Sequence, residues 1–321
     1  METLILSESD VREILTMDIC MEAVENAFLL HGKGETQMPA KIYLTFEKGD
    51  LRAMPAYIGG NAGLKWVNSH PFNKLRGLPT VMAILIYNDP ETGFPLAVMD
   101  ATYLTNMRTG AAGGIAAKHL ARDDSSVIGF IGCGTQARTQ LLALKEVFEI
   151  DEVRCYDIDL KAVDSFVHFV SSNGIEVRKC DAKETCDCDI LVTSTPSRAP
   201  IVRFEWIKPG THINAIGADA PGKQELDPEI LKKSKIVVDD YQQAFHSGEV
   251  NVPLKSGIIS KDDIHATIGE IIAGLKSGRE REDEITVFDS TGLAIQDIAT
   301  ASIVYRKAVE LGIGMRFRFF T

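Results

Sequence analysis

The stretch that most restricts the fold of this chain is Val127-Ile128-Gly129-Phe130-Ile131-Gly132-Cys133-Gly134-Thr135-Gln136-Ala137. An apolar run of strand character passes through G-x-G-x-x-A into a segment of helical character. The first glycine of that motif allows a tight turn, the second lets backbone approach a diphosphate closely, and small Ala137 lets the helix pack on the strand. The N–H groups near Thr135 and Gln136 have no partner inside the helix, so together with the helix dipole they favour an anionic phosphate. An acid also ends the next strand. Asp157 lies 157 − 134 = 23 residues beyond Gly134, close to the spacing of about 20 residues for the carboxylate that receives ribose hydroxyls. Strand, turn, helix and acid together specify a dinucleotide-binding Rossmann unit. Asp157, with Asp159 close behind, repels a ribose 2′-phosphate, and no arginine stands immediately after the strand, so the expected cofactor is NAD rather than NADP.

From Ser125 onward, strand and helix alternate, the rhythm of a parallel, doubly wound sheet. The expected strands are 126–131, 152–156, 175–180, 190–194, 211–216, 236–239 and 285–288, and the expected helices include 135–149, 160–172 and 262–276. The first hundred residues differ, mixing two helices with strands. Ser9 and Asp18 are the expected N-caps. Ile42, Leu44 and Phe46 alternate with Lys41, Tyr43 and Thr45, and Lys48-Gly49-Asp50 turns the chain into a second strand from Leu51 to Ala56. Further strands are expected around Leu64 to Asn68, Val81 to Tyr87 and Phe94 to Met99, followed by a Gly/Ala-rich helix from Thr102 to Leu120. The last segment carries Ala294, Ile298, Ala301, Tyr305 and Ala308 on one helical stripe that no Rossmann pattern requires, so it is expected to return to the first domain. The fold class is thus α/β: a Rossmann domain over 116–292 inserted into an α+β domain made of 1–115 and 293–321.

Composition narrows the function classes. A net charge of −11 disfavours nucleic acid and anionic membrane as partners. Met1 to Asp10 contains acids and no apolar core of export-signal length, and the longest apolar run, Val81 to Tyr87, is strand-sized. Six cysteines without an export signal read as reduced thiols and a cytoplasmic location. Cys180, Cys186 and Cys188 lack a nearby histidine or second cysteine pair, and His70, His212, His246 and His265 are scattered, so no metal is expected. No G-x-S-x-G elbow or P-loop supports hydrolase or NTPase chemistry.

Two basic residues stand out in the first domain. Arg52 lies on the strand Leu51 to Ala56, on the face opposite Leu51 and Ala53, and read alone it could be a surface arginine. Lys65 sits between Leu64 and Trp66, and a lysine among large apolar groups tends to lose its charge and to exchange protons near neutral pH.

These residues stand in motifs that run in one order along the chain: Leu51-Arg52-Ala53-Met54-Pro55, Gly63-Leu64-Lys65-Trp66-Val67-Asn68, Gly77-Leu78-Pro79-Thr80, Arg108-Thr109-Gly110-Ala111, Gly132-Cys133-Gly134-Thr135-Gln136, Asn214-Ala215-Ile216-Gly217-Ala218-Asp219, Pro221-Gly222-Lys223-Gln224-Glu225 and Phe288-Asp289-Ser290-Thr291-Gly292. In these the chain resembles the ornithine cyclodeaminase and μ-crystallin family over essentially its whole length, and within it most closely the archaeal members that oxidise alanine.

The resemblance implies that Arg52 binds a substrate carboxylate, that Lys65 is the acid/base beside the amino group, and that Arg108 adds positive charge for substrate and cofactor phosphate. Asp219 would face the nicotinamide and accept a proton or activate water. Thr80, Thr193, Ser194, Thr195, Gly217, Lys223 and Ser290 would complete the cofactor pocket around Gly132, Gly134, Thr135, Gln136 and Asp157. The implied activity is NAD-dependent oxidative deamination of a small amino acid, L-alanine, to its 2-oxo acid and ammonia. Cyclodeamination of ornithine to proline, or ketimine reduction, is the alternative, and a non-enzymatic binding role of the μ-crystallin kind is a third reading. A homodimer made through the non-Rossmann domain is expected from the same likeness and from the apolar strands Val81 to Tyr87 and Phe94 to Met99.

Overall fold

The computed structural model describes residues 2–320. The chain divides into two compact units, Met1–Arg108 with Leu293–Thr321, and Thr109–Gly292. The break falls inside one helix, a few residues before the position expected from the sequence.

The first unit opens with β1 (Thr3–Leu6), α1 (Glu8–Ile14) and α2 (Met17–Gly32), then β2 (Thr36–Gln37), β3 (Ile42–Phe46), β4 (Gly49–Ile58), β5 (Asn61–Ser69), β6 (Ala83–Asn88) and β7 (Pro95–Asp100). The expected N-caps are displaced. Ser7 caps α1 in a reciprocal box with Asp10, and Thr16 precedes α2. Ser9 and Asp18 fall in the first turns instead, where acidic Asp18 complements the helix dipole. The 42–46/51–56 hairpin forms as expected. β4 extends to Ile58 and pairs antiparallel with β5, so that Met54 stands opposite Lys65 and Arg52 opposite Val67.

Helix α3 (Thr102–Leu120) runs through the boundary into the second unit. There follow β8 (Val127–Ile131), α4 (Thr135–Lys145), β9 (Glu152–Tyr156), α5 (Leu160–Ser172), β10 (Glu176–Lys179), α6 (Ala182–Thr185), β11 (Ile190–Thr193), β12 (His212–Ala215), α7 (Pro228–Lys233), β13 (Lys235–Val238), α8 (Tyr241–Ser247), α9 (Asn251–Lys255), β14 (Ile264–Thr267), α10 (Ile268–Ile272) and β15 (Thr286–Asp289). All eight strands are parallel, in the order β10-β9-β8-β11-β12-β15-β13-β14. Successive strand residues feed opposite faces. Ile128 and Phe130 pack with Leu141, Phe166 and Val170 of α4 and α5, whereas Ile131, Leu191 and Ile213 join Ile236 and Val287 on the other side. This is the doubly wound sheet expected, with one more strand. The helix expected over 262–276 is β14 followed by short α10, because Ile264 and Ala266 bury against β13 and Thr267 starts a new helix with a capping box to Glu270.

The last segment returns to the first unit as α11 (Ala294–Leu311) and β16 (Met315–Phe317). β16 pairs with β1 and β1 with β7, completing a sheet in the order β16-β1-β7-β6-β5-β4-β2, with β3 also on β4. Helix α11 packs on α2 and across β4 and β5. The inner face of the sheet therefore buries Met54, Val67, Leu85 and Met99, while Ile42, Leu44, Trp66, Ile84 and Ile86 on the outer face remain exposed.

Candidate active site

In the first unit the β4–β5 register decides which side chains share a surface. Arg52 and Lys65 are diagonal neighbours on the inner face, since alternate residues of paired strands point the same way. Arg52 is buried and ion-paired with Asp50 at 2.6 Å. Lys65 has no exposed surface: its Nζ lies 2.7 Å from Asp297 Oδ2 and donates to Thr105 Oγ1 at 3.2 Å. Arg108, one turn beyond Thr105 on α3, donates from Nε to Asp297 Oδ1 at 2.9 Å and from Nη1 to Gln296 Oε1 at 3.2 Å. Burial, then the neighbouring Arg108 charge, push the Lys65 ammonium down to about 7, with Lys41 acting the same way and Asp297 opposing them. An amine in that state can both take and give a proton at neutral pH. Thr80 stands apart in the loop before β6, where its carbonyl accepts from the His70 N–H at 2.9 Å.

Asp297 escaped sequence reasoning, as did Thr105 and Lys41. The signal for Asp297 was present: an aspartate beside the apolar stripe of α11 is costly to bury without a cation.

In the second unit the strand order reverses between β8 and β11, the place where open parallel sheets take ligands at their carboxyl ends. Gly132 leaves β8 with φ +98°, and a Cβ there would lie 3.0 Å from the Ser194 carbonyl oxygen. Ser194 Oγ donates to the Gly132 carbonyl at 3.3 Å, so these two loops are in contact. Gly134 is different. It caps α4 at φ −80°, ψ −160°, it lends no side-chain cap to the helix, and a Cβ on it would meet nothing within 4 Å. Ordinary residues adopt that backbone, so the fold does not demand glycine there; a close-lying diphosphate would. Gly134 and Thr135 are exposed and Gln136 half-buried at this uncapped helix start. Asp157 accepts the Cys133 N–H at 2.8 Å with one oxygen and the Asp159 N–H at 2.9 Å with the other, which fixes its carboxylate beside the glycine turn. These features fit a dinucleotide.

Beyond β12, Asp219 is ion-paired with Lys223, whose Nζ also donates to the Gly217 carbonyl at 3.4 Å. Ser290 is buried after β15, its N–H donating to the Ala215 carbonyl at 3.0 Å. Glu225, also missed, ties this edge together: its carboxylate accepts from Thr193 Oγ1 at 2.9 Å, the Thr195 N–H at 2.6 Å and the Gly217 N–H at 2.9 Å. Glu249 in turn accepts the N–H groups of Glu225 at 2.9 Å and Leu226 at 2.7 Å. Burial pushes Glu225, Glu249 and Asp289 up, the last to about 8.

The structure thus gathers Arg52, Lys65 and Arg108 in one unit, and Gly132, Gly134, Thr135, Gln136, Asp157, Thr193, Ser194, Thr195, Gly217, Asp219, Lys223 and Ser290 at the strand ends of the other. Among the described residues no three His, Cys, Asp or Glu are placed to hold a metal, and no helix is long and apolar enough to cross a membrane. His212 is a core residue between Thr286 and Asn214, pushed by burial down to about 3 and so neutral.

Residues 1–312 match the Ornithine cyclodeaminase/mu-crystallin family. The chain is 63% identical over 320 residues to an alanine dehydrogenase of Archaeoglobus fulgidus, covering 100% of this chain and 99% of that one. Its structure superposes on that of an archaeal alanine dehydrogenase dimer with bound NAD at a TM-score of 0.98, with 63% identity and complete coverage of both chains. It also superposes on the Thermococcus litoralis Delta(1)-pyrroline-2-carboxylate reductase in complex with NADH and L-proline, at a TM-score of 0.95 with 43% identity, covering 98% of this chain and 99% of that one.

Proposed function

We propose that this chain, which belongs to the Ornithine cyclodeaminase/mu-crystallin family, catalyses the NAD-dependent, reversible oxidative deamination of L-alanine to pyruvate and ammonia. The observation that carries the reading is identity of 63% along the whole chain with an alanine dehydrogenase, and the buried Lys65, poised near neutrality, supplies the proton chemistry it needs.

Arg52 holds the substrate carboxylate, for which a guanidinium offers two parallel donors. Neutral Lys65 takes a proton from the alanine ammonium, freeing the nitrogen lone pair that drives hydride loss from Cα. Bound NAD supplies the hydride acceptor. Asp219 removes a proton from the water that adds to the resulting iminium carbon, the Lys65 ammonium returns a proton to the nitrogen, and the C–N bond breaks as the new hydroxyl gives up its proton to solvent and becomes the carbonyl, so that ammonia leaves. Each alanine consumes one water and releases pyruvate, ammonium, one proton and the reduced cofactor. Arg108 adds positive charge for substrate and phosphate. Gly132 and Gly134 admit the diphosphate, Thr135 and Gln136 donate to it, and Asp157 receives the adenosine ribose and excludes a 2′-phosphate. Thr80, Thr193, Ser194, Thr195, Gly217, Lys223 and Ser290 line the remainder of the cofactor pocket.

The protein works as a homodimer joined through the exposed apolar face of the first sheet, around Trp66, Ile84 and Ile86. All six cysteines are free thiols, which suits the reducing cytoplasm.

The test compares L-alanine with L-ornithine at equal concentration, following NADH absorbance and assaying proline separately, since cyclodeamination regenerates NAD and leaves the absorbance flat. Pyruvate and NADH from alanine are expected. Proline from ornithine with no pyruvate from alanine would move the assignment to cyclodeamination.

A further inference from the structure

We propose that Asp297 is a positioning residue of this reaction: its single buried carboxylate locks Lys65 and Arg108 into one geometry and keeps Lys65 able to hold a proton. The proposal rests on Lys65 being the acid/base.

Asp297 has no exposed surface and uses both oxygens, Oδ2 toward Lys65 Nζ at 2.7 Å and Oδ1 toward Arg108 Nε at 2.9 Å. The two cations come from different elements, Lys65 from β5 and Arg108 from α3, and the carboxylate from the first turns of α11. Asp297 is therefore the bridge that sets the distance between the proposed acid/base and the proposed anion-binding arginine. Gln296, its neighbour, continues the bridge by accepting from Arg108 Nη1 and from the Leu293 N–H at 3.1 Å, which anchors the pair to the start of the helix.

The charges facing Lys65 are unequal in sign. From α3 comes Arg108, with the neutral Thr105 hydroxyl; from the segment before β3 comes Lys41; from α11 comes Asp297. On β4, Arg52 shares the face but is already paired with Asp50. The flanking strand positions, Met54 and Leu85, are apolar. Burial and both facing cations disfavour the ammonium, and Asp297 alone among the facing charges favours it. Without that carboxylate the amine stays neutral through the physiological range, so it can receive a proton poorly and cannot return one to the leaving nitrogen.

The experiment is the pH profile of kcat/KM for alanine oxidation, which rises as Lys65 becomes neutral. In the wild-type enzyme the rise is expected near pH 7. Asp297→Asn should displace it by about one to three pH units to the acid side, the range for removing an opposite charge at this distance, and should also depress reductive amination at pH 8, where a protonated Lys65 is needed. NADH binding and melting temperature serve as the check that the variant is folded. A folded Asp297→Asn enzyme whose midpoint stays within about 0.3 units of wild type would overturn the proposal. If Asn does not fold, Asp297→Glu decides it: the added methylene keeps the charge but moves it, so kcat should fall at least about tenfold with NADH binding intact, and wild-type kcat would refute positioning. The Lys65 reading fails by a different result, a Lys65→Ala enzyme that still turns over with the wild-type pH profile.

Discussion

Changing Gly134 to alanine should separate what the fold needs from what the cofactor needs. Its backbone, φ −80° and ψ −160°, is open to any L-residue, and a Cβ meets nothing within 4 Å. At a helix N-cap, alanine is worse than glycine by at most about 1 kcal/mol, while the less flexible unfolded chain returns about 0.4–1 kcal/mol. The net stability change should stay within about 1 kcal/mol, or roughly 2–4 °C in melting temperature for a unit of this size. Binding should respond differently, because the methyl group fills the space through which the diphosphate reaches the N–H groups of Thr135 and Gln136. Hydrogen bonds to a charged group contribute about 1.5–3 kcal/mol each. Loss of one or two therefore weakens NADH binding by roughly 10-fold to 10⁴-fold. Melting followed by circular dichroism and titration of NADH fluorescence measure the two effects on one sample. Gly132→Ala is the contrast, since φ +98° and the 3.0 Å approach to the Ser194 carbonyl should cost stability as well as binding. A Gly134→Ala protein that melts like wild type and binds NADH within about threefold would refute the reasoning, because no phosphate could then lie where the fold leaves room for it.

Three further outcomes follow from the geometry. Lys65→Ala should lower turnover by about 10² to 10⁴ while NADH binding in a fluorescence titration stays close to wild type. Burial raises the Asp289 carboxyl to about 8 in the folded chain against an ordinary 3.8, so the folded state holds a proton that the unfolded state loses; stability is full below about pH 4 and falls as pH rises toward 8, by up to roughly 1.4 kcal/mol per unit. Urea unfolding from pH 5 to 8 should show that fall, to which the raised Glu225 and Glu249 carboxyls add, and Asp289→Asn should make the slope shallower by its own share; an unchanged slope would mean Asp289 is ionised when folded. Ile84→Lys, placing a charge on the exposed apolar face, should shift the protein to the monomer in light scattering without lowering its melting temperature by more than a few degrees.

The sequence determined the Rossmann unit because its signals are local. The glycine turn, the helix start and Asp157 fall within about thirty residues, and each is required by backbone geometry or charge that needs no distant partner. Lys65 stood out between two large apolar chain neighbours, but Leu64 and Trp66 point to the opposite face of β5, and what buries the amine is the inner face of the sheet under α11. Strand counting failed where the partner lay elsewhere: β14 reads as helix until β13 pairs with it, and β1 and β16, from opposite ends of the chain, become strands only beside each other and β7. The site divides in the same way. Glu225 stood in a quoted motif, yet its hold on Thr193, Thr195 and Gly217 depends on where β11 and β12 end in space. Asp297 joins Lys65 across 297 − 65 = 232 residues, and what makes the contact necessary is the cost of burying three charges, a cost that arises only once α11 has packed onto the sheet. Sequence periodicity can place each residue on a face, but only the packed structure decides which buried charge faces which.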